Sequence, residues 1–79
     1  MENITPNPQI LVDIVRVPMP FGKYKGTLLC DLPVSYLEWM NRGGWPAGKL
    51  GMMLATVYEI KLNGLTALLH SVKNSVSPR

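Results

Sequence analysis

The sequence predicts an α+β fold, in which a small antiparallel β-hairpin, with a candidate third strand, packs on two or three α-helices. Three observations lead to this prediction. Residues 10–17 are apolar and rich in β-branched side chains, which favour strands. Residues 21–30 place a glycine-framed turn before an apolar run, as in a hairpin. Two later segments carry apolar residues at helical spacing and end at glycine.

The length and composition of the chain allow one small globular domain. With 79 residues the chain has room for one domain with a marginal core. Hydrophobic residues make up 47% and charged residues 16%, which argues against wholesale disorder despite seven prolines. We expect a flexible arm at residues 1–9, a single α+β domain at 10–72 and a polar tail at 73–79.

Cysteine usage and the start of the chain favour a cytoplasmic protein. Cys30 is the single cysteine, which excludes an internal disulfide and any multi-cysteine metal site. Residues 1–8 contain Glu2 and two prolines where a secretory signal needs a basic segment and an apolar run. The longest apolar stretch, residues 51–58, is well short of the roughly 20 residues that span a bilayer. We expect no membrane partner and no metal or cofactor.

The first part of the domain is predicted to supply the strands. Residues 10–17 alternate only partly, so they form a strand or a short buried segment. Pro18 and Pro20 follow and limit regular pairing, because proline lacks the amide donor. Residues 21–26 then form a turn in which both glycines are available for positive φ, and residues 27–30 form the next strand.

The first predicted helix begins at residues 31–33, where Asp-Leu-Pro places proline at the first helical position. Ser35 and Glu38 offer an alternative start as a capping box. Tyrosine, leucine, tryptophan and methionine then give the helix an apolar side. The glycine pair at 43–44 ends it.

The core helix is predicted at residues 49–63. It has a wide apolar surface and one narrow stripe of more polar character, which indicates a helix covered on most sides. That stripe consists of Met52, Thr56, Glu59 and Asn63. Asn63-Gly64 resembles a helix C-cap, so residues 65–72 are predicted to form a separate short helix.

The most specific local feature is the segment 20–26, Pro-Phe-Gly-Lys-Tyr-Lys-Gly. Lys23 and Lys25 are two residues apart and share a face of an extended segment, with Tyr24 on the other face. Two cations and exposed backbone amides suit a phosphate ligand, and a tryptophan from the connector would add a stacking platform. The candidate nucleic-acid site comprises Lys23, Tyr24, Lys25, Arg42, Trp45 and Lys49.

A structural interpretation of the same residues is open as well. The glycines would shape a tight turn, the lysines would be solvated, and both tryptophans would lie in the core. The formal net charge of +3 permits an anionic partner without requiring one.

The chain carries no recognisable catalytic centre. Residues 43–50 match the spacing of a phosphate-binding loop up to Lys49, but Leu50 stands where a magnesium-binding serine or threonine belongs. That segment also follows a helix instead of a strand. His70 is the single histidine and has no cysteine or carboxylate cluster near it in sequence. We therefore predict a protein that is not an enzyme.

An adaptable apolar surface supplies an alternative function. Met40, Met52 and Met53, together with Trp39 and Trp45, would suit a protein partner, since methionine packs against many shapes. In so small a domain the apolar surface of the core helix need not be fully covered internally, which leaves homodimerisation open. Core filling explains the same residues.

Two separated motifs carry a family resemblance. Segment 20–26, the Leu-Pro and Tyr-Leu pairs with Trp39 after it, and Val-Tyr-Glu-Ile-Lys-Leu-Asn-Gly at 57–64 resemble a small bacterial family, formerly a domain of unknown function, labelled as a quorum-sensing-regulated virulence factor. The resemblance spans about residues 17–69 and brings no catalytic residues with it. The front half is also similar to the module that follows the nuclease domain in exodeoxyribonuclease X-like proteins.

The second resemblance implies a nucleic-acid setting. We therefore expect a non-catalytic accessory or regulatory module that binds nucleic acid through the basic segment 20–26. The alternative is a protein-interaction or homo-oligomerising domain.

Overall fold

The computed structural model describes residues 8–76, and in this range the chain forms four α-helices and one turn of 3₁₀-helix. They are α1 (Pro8–Ile14), the 3₁₀ turn (Leu29–Asp31), α2 (Val34–Gly43), α3 (Gly48–Leu62) and α4 (Thr66–Val76). No β-strand forms between residues 8 and 76, so the predicted α+β fold is wrong. The predicted helices α2, α3 and α4 are confirmed.

The candidate third strand is in fact helix α1, followed by an irregular segment. Ile10 and Ile14 are four residues apart, and both are buried on the side of the helix that faces the core. The side chain of Gln9 donates to Asp13 Oδ1 at 3.0 Å along the outer side. Proline suits the first turn of a helix, where Pro8 lies. Packing at helical spacing therefore outweighs the β-branched composition.

The predicted hairpin is reduced to a single antiparallel bridge between Pro18 and Leu28. Beside it the amide of Met19 donates to the carbonyl of Thr27 at 2.8 Å. The two prolines at 18 and 20 lack amide donors, so the ladder cannot extend along this segment. On the other side the chain enters the 3₁₀ turn at Leu29. The bridge nevertheless closes the base of the loop formed by residues 20–26, which we call the glycine loop.

One core joins all four helices. Helix α3 packs against α1, α2 and the 3₁₀ turn, and α4 packs against α1. The largest fully buried side chains come from every one of these elements, from the segment after α1 and from the link between the 3₁₀ turn and α2: Ile14, Met19, Leu29, Leu32, Leu37, Leu54, Val57 and Leu69. Burying each side chain of this size contributes roughly 1.5–3 kcal/mol before the cost of ordering the chain.

A close contact at Gly51 fixes the connector between α2 and α3. A Cβ atom added to Gly51 would overlap the carbonyl oxygen of Pro46 and lie 3.0 Å from its carbonyl carbon. Only glycine lets the connector lie directly on the first turn of α3. This contact places Trp45 against Tyr58, with ring centroids 5.8 Å apart.

The two ends of the described residues can be compared with the predicted domain limits. Residues 1–7 of the predicted arm lie outside the described residues. Residues 73–76 of the predicted tail continue α4, and Lys73 Nζ lies 3.0 Å from Asp31 Oδ2. The hydrogen bond that Asp31 accepts raises the pKa of Lys73 above its usual value. The limits 10–72 otherwise stay a prediction.

Candidate functional site

An open groove lies between the glycine loop and α2. Its volume is about 720 Å³, and most of its wall is apolar. We call it the aromatic groove. It is lined by Phe21, Gly22 and Lys23 of the glycine loop, by Tyr36, Trp39, Met40 and Gly43 of α2, and by Gly44 and Pro46 of the connector. Lys23 provides the charge in this wall.

The rotational phase of α2 presents two aromatic rings to the groove. Leu37 and Met40, three residues apart, lie in the core, and this turns Tyr36 and Trp39 toward the neighbouring side of the helix. The two rings stack with centroids 5.9 Å apart and planes 19° apart. Trp39 remains 63% exposed. Helix α2 therefore supports a large ring at the surface without covering it.

The glycine loop is held against α2 by Tyr36. Gly22 has a φ of +82°, and a Cβ atom at this position would lie 3.4 Å from the Tyr36 hydroxyl. The ring of Tyr24 packs on Tyr36 with a centroid distance of 4.7 Å. Lys23 Nζ lies 5.6 Å from the centroid of Tyr24, a cation–π distance. The loop thereby sets Lys23 at the wall of the groove.

Two further cations lie close in sequence to residues that line the groove. Lys25 is exposed in the same loop, and its amide donates to the carbonyl of Gly22 at 3.1 Å, which closes a tight turn. Arg42 is exposed on α2 beside Gly43. Glu38, also exposed, precedes Trp39 on that helix. The exposed charge on the glycine loop and α2 is therefore mainly positive.

Of the six predicted site residues, Lys23 lines the groove and Tyr24 packs on Tyr36, while Lys25 and Arg42 are exposed on the glycine loop and on α2. The other two have structural partners elsewhere. Trp45 is half-buried and packs on Tyr58, and it does not line the groove. Lys49 Nζ lies 2.8 Å from Asp13 Oδ2 and so joins α3 to α1. The hydrogen bond from Lys49, followed by the one from Gln9, holds the pKa of Asp13 below its usual value.

Three aromatic residues that line the groove, Phe21, Tyr36 and Trp39, were absent from the predicted site. Phe21 is 47% exposed, and Trp39 was assigned to the apolar side of its helix. A signal for Trp39 existed in the sequence. Ser35, Trp39 and Arg42 have spacings of four and three, so the tryptophan belongs to a polar helical stripe. A large aromatic residue on such a stripe indicates an exposed ring.

The reactive side chains lie apart from the groove. Cys30 is buried, and desolvation together with the negative charge of Asp31 raises the pKa of its thiol. A thiol in this setting is a poor nucleophile. Within residues 8–76 no group of three or more histidine, cysteine or acidic residues is positioned to hold a metal ion. The chemistry that the groove offers is ring stacking beside a cation.

Comparison with known proteins places the chain in a family. The family model described as "Putative quorum-sensing-regulated virulence factor" matches residues 7–72. The chain is 48% identical over 64 residues to "Uncharacterized protein YpeB" of Escherichia coli K12, an alignment that covers 80% of this chain and 89% of that protein. The protein of the same description from Escherichia coli O157:H7 matches equally well. No solved structure matches.

The chain therefore belongs to the quorum-sensing-regulated virulence factor family, as its two motifs predicted. The similarity of its front half to the module of exodeoxyribonuclease X-like proteins is not confirmed by these matches. The expected cytoplasmic location stays a prediction. None of the helices between residues 8 and 76 has the length and apolar character needed to cross a bilayer.

Proposed function

We propose that this chain is a non-catalytic accessory or regulatory module that binds nucleic acid on the side that carries the aromatic groove. One observation carries the proposal: the exposed ring of Trp39, stacked on the half-buried Tyr36, lies beside the lysine-bearing glycine loop. Proteins that bind nucleic acid combine a basic surface that follows the phosphates with aromatic rings that stack on bases. Both features occur here on adjacent elements.

The charges set the expected strength of the salt dependence. Lys23, Lys25 and Arg42 offer up to three phosphate contacts, and each contact contributes a slope of about −0.7 to −0.9 in log affinity against log salt. Three contacts lower the affinity about twentyfold between 50 mM and 200 mM salt if the slope for single strands applies. A ligand held by apolar contacts alone would show almost no such dependence.

The test is to remove two of these charges. We expect the double variant Lys23→Ala plus Lys25→Ala to bind short oligonucleotides about tenfold more weakly at low salt, with a shallower salt slope, because two phosphate contacts are lost. Fluorescence anisotropy of labelled oligonucleotides measures both quantities. NMR titration of isotope-labelled protein with unlabelled oligonucleotide should place the shifts in the glycine loop and α2.

A matched control distinguishes the loss of direct phosphate contacts from the loss of net positive charge. Arg16→Ala plus Lys73→Ala removes the same charge from residues outside the glycine loop and α2, neither of which lines the groove. Circular dichroism would verify that both double variants fold. Equal losses of affinity in the two double variants, or binding that ignores salt, would count against the proposal.

Exposed leucines favour self-association as a second candidate function. Leu62, Leu65 and Leu68 are 61%, 50% and 40% exposed at the junction of α3 and α4. Three exposed leucines within one short segment are typical of an interface. Light scattering over a range of concentrations should show the mass rising toward two chains if this candidate is right. A constant monomer mass would exclude it.

A further inference from the structure

We infer that the aromatic groove accepts unpaired bases, so that the nucleic acid bound by this chain is a single strand and not a duplex. The inference rests on the proposed function and names its ligand class. It starts from two exposed rings that line the groove from different elements. Phe21 lies on the glycine loop at 47% exposure, and Trp39 lies on α2 at 63%.

Trp39 has the two features of a platform for base stacking: support on one side and an open ring surface. Tyr36 packs nearly parallel to it, with centroids 5.9 Å apart, and so supports one side of the indole. The large exposed fraction of Trp39 leaves ring surface open to a ligand. Tryptophan is highly buried on average in folded proteins, so a supported but uncovered indole in a groove indicates a stacking partner.

Only unpaired bases offer the matching surface. In a duplex each base is stacked on its neighbours, so its ring faces are hidden from a protein side chain. In single strands, loops and ends the bases can splay out and stack on aromatic side chains. A groove lined by rings therefore discriminates for single strands, whereas lysines on a convex surface would bind either form.

The rest of the groove suits a flexible polyanion. A Cβ atom added to Gly43 or Gly44 would meet nothing within 4 Å, so a strand can approach the backbone closely there. Lys23 lies in the same wall, and the lining contains no carboxylate. Proline-rich peptides also use aromatic grooves. The basic surroundings, with Lys25 and Arg42 exposed nearby, favour phosphate over peptide.

The experiment uses Trp39 itself as the reporter. The variant Trp45→Phe leaves Trp39 as the single tryptophan. We expect saturable quenching of its fluorescence by a thymidine oligonucleotide of about twelve nucleotides, a length within the usual range of single-strand sites. The matching adenine–thymine duplex should bind about tenfold more weakly and leave the emission unchanged.

Variants of Trp39 then test the platform. Trp39→Ala should lower single-strand affinity about tenfold with no effect on duplex affinity, because one stacking contact is lost. Trp39→Phe, which keeps an aromatic face, should retain most of the affinity. Met52→Ala removes an equally exposed apolar side chain from α3, outside the groove, and is the control. Thermal unfolding verifies that each variant folds.

The outcomes separate this inference from the proposed function. Preference for the single strand, with quenching and dependence on Trp39, supports both. Equal affinity for the two forms with unchanged Trp39 emission overturns the single-strand inference and leaves nucleic-acid binding in place. Binding of neither form overturns both. Saturable binding of a proline-rich peptide, with no nucleic-acid binding, also overturns both in favour of a protein partner.

Discussion

The two tryptophans of this chain lie six residues apart in sequence and are held in opposite ways. Trp39, on α2, stacks on Tyr36 and keeps 63% of its surface exposed in the aromatic groove. Trp45, in the connector, is half-buried against Tyr58 on α3. One ring is supported and left open at the surface, and the other joins two parts of the fold.

The lysines near these rings differ in the same way. Lys23 lies in the groove wall beside Tyr24, whereas Lys49 is joined to Asp13 and links α3 to α1. Residues of the same aromatic or basic type, close together in sequence, thus have two roles: some line the exposed groove, and others join parts of the fold. The division follows from helix phase and from the available partners, because residue type is the same in both regions.

The largest effect should follow from disturbing the connector at Gly51. Gly51→Ala should lower the free energy of unfolding by about 3 kcal/mol, because the new methyl group overlaps the backbone of Pro46 and forces the connector away from α3. Urea unfolding followed by circular dichroism measures this change. Trp45 should become more exposed in the variant.

Gly43→Ala is the matched control for this substitution. Gly43 lies in α2, and an added Cβ atom meets nothing within 4 Å. We expect its free energy of unfolding to change by less than about 1 kcal/mol, because alanine is the better helix former. If Gly51→Ala changed the free energy of unfolding as little as Gly43→Ala, the connector would not be tightly packed on α3. Trp45 would then have no structural role in holding it.

A smaller effect should distinguish the two tryptophans directly. Trp45→Ala should cost about 2 kcal/mol of stability, less than a fully buried tryptophan, through lost burial and the lost contact with Tyr58. Trp39→Ala should cost about 0.5 kcal/mol, because its ring is largely exposed. Chemical unfolding of both variants tests the comparison. Equal costs would show that Trp39 is a structural residue as well.

Sequence patterns located three of the four described helices because their signals are local. Residues 49–63 were predicted as the core helix, and the structure has α3 at Gly48–Leu62. The glycine pair at 43–44 was predicted to end the preceding helix, and α2 ends at Gly43. Spacing of apolar residues and glycine stops depend on neighbours in sequence, so they can be recognised without the fold.

The errors arose where distant packing decides the structure. Residues 10–14 have a strand-like composition, yet the burial of Ile10 and Ile14 on one side makes them helical. The glycine loop was recognised as a turn, but the prolines at 18 and 20 leave one bridge where a hairpin was expected. The overlap at Gly51 involves the connector and cannot be seen in a local pattern.

The sequence predicted part of the candidate site and missed the rest for the same reason: local features can be recognised in a sequence, and tertiary contacts cannot. The basic glycine loop is one continuous segment, so Lys23, Tyr24 and Lys25 could be proposed from sequence. Phe21 and Trp39 complete the groove from two separate elements. Their meeting depends on Tyr36, which packs against Tyr24 and Gly22 and so fixes the loop on the helix. That contact is tertiary.

The smallest expected effect concerns the ion pair between Lys49 on α3 and Asp13 on α1. The pKa of Asp13 is lowered in the folded protein, first by the hydrogen bond from Lys49 and then by that from Gln9. An unfolded aspartate has a pKa of about 3.9. The unfolded state therefore binds more protons in this range, so the contribution of Asp13 to stability is present above about pH 3.9 and is lost as the pH falls through the lower folded pKa.

Asp13→Asn removes this titration. We expect the wild type to lose stability more steeply than Asp13→Asn as the pH falls below about 4, by a small amount because Lys49 is largely exposed. Urea unfolding across the acid range measures the two slopes. Parallel slopes would mean that Asp13 does not hold Lys49, which removes the contrast between the two lysines.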